Sequence, residues 1–177
     1  MGSWGITALE SDNGLDAIEH IQWNIHGNGR LDLHETILML REEGLFVPPA
    51  KFGYCHTGVE ALAEFILKCG EGAAKDLDYP HNEVKFSSLS SFAAEKSDLQ
   101  WVREYLSETL GSAEKNSNRA EKKWGGWFKE ADWNAWRERM RTLIGTMDSL
   151  LSLPGDPIDL TAIQPEETEE IDGMEMR

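Results

Sequence analysis

The feature of this sequence that most restricts its fold is a series of apolar stripes with helical spacing, each introduced by a residue that caps helices. The clearest stripe follows Asp132 and runs from Trp133 to Leu150 at alternating steps of three and four residues. This spacing places the apolar side chains on one face of an α-helix, whereas a half-buried strand would alternate every second residue. The pattern therefore predicts a helix that packs along one face.

Other stripes precede it, and each has its own start and stop signals. The predicted starts are Asp12-Asn13, Asp32 with Glu35, Thr57 with Glu60, Ser97 with Gln100 and, more weakly, Asn118 with Glu121; Gly44, Gly70 and Gly111 are predicted ends. Evidence for strands is thin, because alternation is confined to the short segment from Asn82 to Ser87. We predict an all-α fold of five to six helices in one compact domain over residues 1–152, with at most a short strand pair.

The charge is distributed unevenly along the chain. The 177 residues include 32 acidic and 17 basic side chains, a net charge of −15. Residues 1–114 carry −11, residues 115–141 carry +4 and residues 152–177 carry −7. Because Leu153-Pro154 ends the last apolar stripe and a run of glutamates follows Pro165, we expect residues 153–177 to form an acidic, mobile tail.

Several classes of protein fit this composition poorly. A strongly negative chain suits neither a general nucleic-acid coat nor an anionic membrane surface. The sequence contains no run of 18 apolar residues, which a membrane-spanning helix would need. Residues 1–15 lack the features of a signal peptide. Two cysteines, Cys55 and Cys69, are too few for a disulfide scaffold, and they do not form a Cys-x-x-Cys zinc motif. We expect a soluble cytoplasmic protein, with the roles of both cysteines left open.

Three residues at the first predicted helix could form a metal site. Asp12, Asp16 and His20 follow one another at intervals of four, so they lie along one helix face. Two carboxylates and an imidazole can hold a divalent metal that activates water. Such a site would need a further ligand, such as His34 or His56. The alternative is that Asp12 caps the helix and that Asp16 interacts with its dipole.

A second candidate for chemistry is the pair Cys55-His56, which precedes the helix predicted at Thr57. A thiol at a helix N-terminus beside a histidine can become a nucleophile. Adjacent side chains point apart in most backbones, so a buried and unreactive cysteine is the competing interpretation.

The segment from 115 to 141 combines tryptophans with basic residues. Aromatic side chains can stack on nucleotides while the basic side chains contact phosphate. The predicted nucleic-acid contacts are Lys122, Lys123, Trp127, Arg137 and Arg141. Three other interpretations stay open: tryptophans in the core with the bases in solvent, docking of the acidic tail, and an interface with a protein partner.

Both ends of the predicted domain resemble a known family. The chain opens Met1-Gly2-Ser3-Trp4-Gly5, and an Asp-rich turn from Glu10 to Asp16 leads into the first helix. These residues resemble an uncharacterised bacterial family, catalogued as a domain of unknown function, whose members open with Met-Gly-x-Trp-Gly. Its members tend to close with a Trp-bearing helix pair, which the segment from Trp127 to Trp136 resembles. The resemblance implies an α-rich bacterial domain and no established activity.

Two functional hypotheses follow. The sequence contains no phosphate loop, nucleophile elbow, zinc-protease motif or dinucleotide fingerprint, which favours a binding protein over an enzyme. The first hypothesis is an acidic inhibitor, of the immunity, anti-defence or anti-CRISPR type, which needs no cofactor and binds a basic nuclease or CRISPR effector. Its predicted contacts are Asp12, Asp16, Glu19, Glu42 and Glu43. The alternative is a metal-dependent nuclease or other hydrolase that uses Asp12, Asp16 and His20.

Overall fold

The fold is mostly helical. The computed structural model describes residues 5–46, 57–78, 84–117, 123–124, 127 and 129–162. Within these residues there are five α-helices and one three-stranded sheet. The helices are α1 (Asp12–Trp23), α2 (Leu33–Glu42), α3 (Thr57–Gly70), α4 (Lys96–Asn116) and α5 (Glu130–Leu151), and the strands are β1 (Arg30–Asp32), β2 (Ser91–Ala94) and β3 (Ile158–Asp159). The predicted helical domain is confirmed, and none of the described helices is long and apolar enough to cross a membrane.

The helices begin close to the predicted capping residues. Asp32 caps α2, since its Oδ1 accepts a hydrogen bond of 3.0 Å from the backbone N–H of Glu35. The cap of α1 is Ser11 rather than Asp12 or Asn13, because the Ser11 hydroxyl accepts from the N–H of Gly14. The stop predicted at Gly111 is wrong, and α4 continues to Asn116. Gly111 is exposed, and a glycine inside a helix lowers stability by about 1 kcal/mol relative to alanine. The packing of α4 on α5 offsets this cost.

The strands lie where the sequence did not predict them. β1 pairs parallel with β2, with Leu31 opposite Phe92, and β3 pairs antiparallel with the other side of β2. The short alternation from Asn82 to Ser87 does not form a strand in its described part, residues 84–87, because Phe86–Ser88 form a short 3-10 turn. The Asp78 carboxylate explains the turn: it accepts hydrogen bonds from the N–H groups of Phe86 and Ser87.

The packed chain extends beyond the predicted start of the tail. Residues 153–162 return to the sheet, where the N–H of Leu160 donates to the Phe92 carbonyl at 2.8 Å. Ile158 and Leu160 are buried, so this part of the predicted tail belongs to the domain. Pro154 and Pro157 favoured the prediction that the packed chain ends here. Prolines are equally compatible with a turn that leads into an edge strand, and here they precede β3. Residues 163–177, the rest of the predicted tail, lie outside the described residues.

The core is centred on α3, which contacts α1, α4 and α5. The Phe65 ring lies 5.0 Å from that of Phe86 and 5.4 Å from that of Phe92, so it joins the helix to the sheet. Gly58 lets α3 approach the end of α2 closely, since a Cβ there would lie 2.0 Å from the Leu45 carbonyl oxygen. This packing fixes α1 and α2 beside one another and leaves their outward faces accessible.

Candidate partner-binding surface

The most exposed large hydrophobic side chain in the described residues is Trp23, at the C-terminal end of α1. It is 61% exposed, although the two preceding residues, Ile21 and Gln22, are buried. The helical rotation that turns those two side chains inward turns the indole toward solvent. Exposed tryptophans are notable because this residue type is enriched at the energetic centres of protein interfaces.

His20 connects Trp23 to the end of α2. Its ring meets the indole edge-on, with centroids 5.1 Å apart, and its Nε2 lies 3.7 Å from Oε1 of Glu43. The other ring nitrogen, Nδ1, lies 2.8 Å from the backbone carbonyl oxygen of Asp16. The outward face of α1 and the last turn of α2 therefore form one continuous surface. We call Asp16, Glu19, His20, Trp23 and Glu43 the Trp23 surface.

The predicted partner-binding carboxylates lie on or beside this surface. Asp16 and Glu43 are exposed and Glu19 is half-buried, while Glu42 is exposed next to Glu43. Asp12 is exposed at the opposite end of α1, about 16 Å from Trp23 along the helix axis. Four of the five predicted contacts therefore lie near the exposed indole, and Asp12 lies apart.

A basic residue on α2 is directed away from these carboxylates. The guanidinium of Arg41 lies 5.6 Å from the centre of the Trp101 ring on α4. A cation over an indole face is attracted by the negative centre of the ring. Arg41 is therefore held toward α4 rather than toward Glu43, which leaves the Trp23 surface acidic.

The predicted metal ligands are not assembled into a coordination site. Both ring nitrogens of His20 face groups other than Asp12 or the Asp16 carboxylate, namely the Asp16 carbonyl and Glu43. His34, suggested as a further ligand, lies 3.1 Å from the Asp98 carboxylate on α4, which raises the pKa of its imidazole. In the described part of the chain, no three His, Cys, Asp or Glu side chains are gathered as metal ligands. The metal-dependent alternative stays a prediction.

The tryptophans of α5 belong to the core, as one interpretation predicted. Trp133 and Trp136 are 4% and 9% exposed, and their rings stack with centroids 5.7 Å apart. Trp124 and Trp127 are partly buried against the same core. The four rings are therefore wholly or largely used in folding, and among the described residues the most exposed indole is that of Trp23.

The predicted nucleic-acid contacts on α5 are engaged within the molecule. Arg137 and Arg141 both reach Oε2 of Glu114 on α4, at 3.4 Å and 2.7 Å. The Lys123 ammonium lies 5.0 Å from the centre of the Trp124 ring, and Lys122 lies outside the described residues. A phosphate group could reach these arginines only by displacing the Glu114 carboxylate.

A buried charge pair that the sequence did not predict joins α3 to α5. Glu64 is 1% exposed, and its carboxylate accepts hydrogen bonds from Nε and Nη2 of Arg139, the first at 2.8 Å. One turn earlier, the carboxylate of Glu60 accepts from the Trp136 indole, and burial raises the Glu60 pKa to about 7. The signal was present in the sequence, because Glu60 and Glu64 interrupt an otherwise apolar helix.

The two cysteines are placed differently. Cys69 is buried near the end of α3, as expected for a small hydrophobic residue. Cys55 and His56 lie outside the described residues, so a nucleophilic role for that pair stays a prediction.

Comparison with known proteins adds no functional information: no family model matches the chain, and no curated protein or solved structure is similar to it. The resemblance to the uncharacterised bacterial family is therefore neither supported nor excluded.

Proposed function

We propose that this chain is a non-enzymatic acidic binding protein that inhibits a basic nucleic-acid-processing enzyme. The observation that carries the proposal is Trp23, which is exposed among carboxylates instead of buried in the core. A large apolar anchor surrounded by charge of one sign suits an interface in which the indole enters a pocket and opposite charges surround it. The immunity and anti-defence types are the classes of inhibitor that this chemistry fits, and a CRISPR effector is one candidate target.

The charge distribution supports a basic partner. Residues 1–114, which include α1 to α3 and most of α4, carry a net charge of −11. The arginines of α5 do not oppose this locally, because Arg137, Arg139 and Arg141 are paired with carboxylates of α3 and α4. A negative field of this kind accelerates association with positive surfaces. Enzymes that bind phosphate backbones present such surfaces, and a row of carboxylates can occupy them in place of phosphates.

The main competing explanation is that the acidity only keeps the protein in solution. Solubility requires net charge but gives no reason to leave an indole exposed, and it predicts no specific complex. The two explanations therefore differ in whether a single apolar side chain controls binding.

The test measures binding to immobilised basic nucleases and CRISPR effectors, with inhibition of cleavage as a second readout. At about 50 mM salt we expect saturable binding, because attraction between opposite charges is weakly screened there. Trp23→Ala should weaken binding about thirtyfold, since loss of a central aromatic anchor costs about 2 kcal/mol. Leu38→Ala is the matched control. Leu38 is also exposed and lies one turn before Glu42 on α2, so it tests whether any exposed apolar side chain near the carboxylates matters. Because it is not a large aromatic anchor, its loss should change binding less than about twofold.

Three outcomes would contradict the proposal. They are no binding to any basic enzyme at low salt, binding that is indifferent to Trp23→Ala, and binding without inhibition. A separate incubation with RNA and DNA, with Mg²⁺ or Mn²⁺ and with chelator, tests the enzymatic alternative. Metal-dependent cleavage that disappears in Asp16→Ala would replace this proposal with a hydrolase.

A further inference from the structure

A small pocket lies at the end of the molecule where α3 finishes. Its volume is about 200 Å³, and it opens to solvent between α3, the turns formed by Ala74–Leu77 and Phe86–Ser88, and the chain after β3. The residues that determine its chemistry are Cys69, Lys75, Phe86, Ser87, Leu89 and Thr161. None of them belongs to the Trp23 surface.

The floor of the pocket is apolar and uncharged. Cys69 and Phe86 are 5% and 2% exposed, and Leu89 is partly buried beside them. Burial and the nearby Asp159 carboxylate raise the pKa of the Cys69 thiol to about 12, so the thiol is neutral at physiological pH. This apolar floor favours contact with an apolar group of a ligand.

The rim carries polar groups that are not used in folding. Lys75 is exposed, and among the described residues its ammonium has no ion pair or hydrogen bond. The hydroxyl of Ser87, also exposed, has no hydrogen-bond partner within the same residues. These two groups can donate to one anion at the mouth of the pocket. A few polar groups beside an apolar floor are characteristic of small-molecule sites.

Two carboxylates near the pocket, those of Asp78 and Asp159, already accept hydrogen bonds within the fold. Asp78 accepts from the N–H groups of Phe86 and Ser87. Oδ1 of Asp159 accepts hydrogen bonds from the N–H of Phe92 and from the N–H and hydroxyl of Thr161, at 3.0, 3.0 and 2.8 Å. These donors lower the Asp159 pKa and offset its charge. The Thr161 hydroxyl is thereby used within the fold, and Lys75 and the Ser87 hydroxyl are the rim donors without a partner in the described part of the chain.

We propose that this pocket binds a small organic carboxylate whose apolar body is one six-membered ring or an acyl chain of about four to six carbons. The volume sets the size, because an apolar cavity of about 150 Å³ holds benzene whereas sites for drug-sized ligands exceed about 300 Å³. The apolar body lies on Cys69 and Phe86, and the carboxylate meets Lys75 and Ser87. This site is independent of the proposed inhibitor function.

The test is a titration of the full chain, labelled with ¹⁵N, with benzoate and hexanoate up to about 10 mM, the range expected for ligands of this size. We expect saturable shifts of the amide signals of Gly72, Ser87 and Thr161, which line the pocket or its rim. Lys75→Gln should raise the dissociation constant about three- to fivefold, because a charged contact at an exposed rim contributes up to about 1 kcal/mol. Lys115→Gln, an exposed lysine of α4 that does not line the pocket, is the matched control and should change it less than about twofold.

Neutral isosteres separate the carboxylate from the apolar body. Benzamide and hexanamide should bind about three- to fivefold more weakly than the two carboxylates, because they lose the charge that meets Lys75. The proposal is overturned if no probe gives saturable shifts, if the amides bind as well as the acids, or if Lys75→Gln and Lys115→Gln behave alike. Trp23→Ala should leave benzoate binding unchanged, which keeps this result separate from that of the inhibitor experiment.

Discussion

Arg139→Met is expected to destabilise the fold strongly, because it removes the partner of a buried carboxylate. Glu64 is 1% exposed, and both of its oxygens accept hydrogen bonds from the Arg139 guanidinium. Methionine keeps much of the apolar stem that packs beside it and removes only the charged end. The variant therefore leaves a carboxylate in the core with neither a counter-ion nor its two donors.

The structure sets the size of the effect. Two hydrogen bonds to a charged group contribute about 1.5–3 kcal/mol each, and breaking a buried ion pair costs about 3–5 kcal/mol. The Arg139 side chain is 34% exposed, so water can approach the vacated position. We therefore expect a loss at the lower end, about 3 kcal/mol of the free energy of unfolding.

The assay is urea unfolding at neutral pH, followed by far-ultraviolet circular dichroism. Arg141→Met is the matched control, since Arg141 pairs with Glu114 where the two side chains are 51% and 35% exposed. That change should cost less than about 1 kcal/mol. The double variant Glu64→Leu with Arg139→Met should recover much of the lost stability, because it leaves no unpaired charge. Equal losses for Arg139→Met and Arg141→Met, or a double variant no more stable than Arg139→Met, would refute the reasoning.

Three further predictions concern the space around Gly14, the protonation of Glu60 and the packing of Leu160 on the sheet. Gly14→Ala should lower the free energy of unfolding by about 1–3 kcal/mol, because its Cβ would lie 1.8 Å from a backbone carbonyl oxygen. Gly145→Ala is the control: a Cβ there would have nothing within 4 Å, so the change should stabilise α5 by about 0.5–1 kcal/mol. Urea unfolding measures both. The Glu60 pKa is raised from 4.5 to about 7, so the folded state binds the proton more tightly and stability falls as pH rises between those values. Glu60→Gln should therefore gain about 1–3 kcal/mol over the wild type at pH of about 8 and flatten the pH profile, which unfolding at several pH values will show. Leu160→Ala should lower the free energy of unfolding by about 2–4 kcal/mol, because it removes a buried side chain. The exposed control, Ser152→Ala, should lower it by less than about 0.5 kcal/mol. Equal small losses would mean that the chain after α5 does not pack on the sheet.

The sequence predicted the helices well because their signals are local. The Asp32 cap and the stripe from Trp133 to Leu150 depend on residues within one or two turns, and both appear in the structure. The strands could not be predicted in the same way. β1 and β2 have three and four residues and pair across about sixty intervening positions, so neither carries a long alternating pattern.

The candidate surface was predicted in part. Its carboxylates were chosen from their charge and their positions at the first two helices, and the structure brings Glu43 to His20. Trp23 was not among the predicted residues. The helical period of α1 nevertheless places it off the apolar stripe, and therefore toward solvent. The Glu64–Arg139 pair joins positions 75 residues apart, so it depends on tertiary packing that local patterns do not encode.

The central claim is that an acidic surface anchored by Trp23 binds a basic protein, and the salt dependence of binding tests it most directly. The measurement is the dissociation constant for a basic nuclease between about 50 and 300 mM salt, for the wild type, Trp23→Ala and a Glu42→Gln/Glu43→Gln double variant. We expect affinity to fall steeply with salt, the double variant to flatten this slope, and Trp23→Ala to lower affinity at every salt concentration without changing the slope. A dissociation constant that does not change with salt, or a slope that the double variant leaves unchanged, would contradict the central claim.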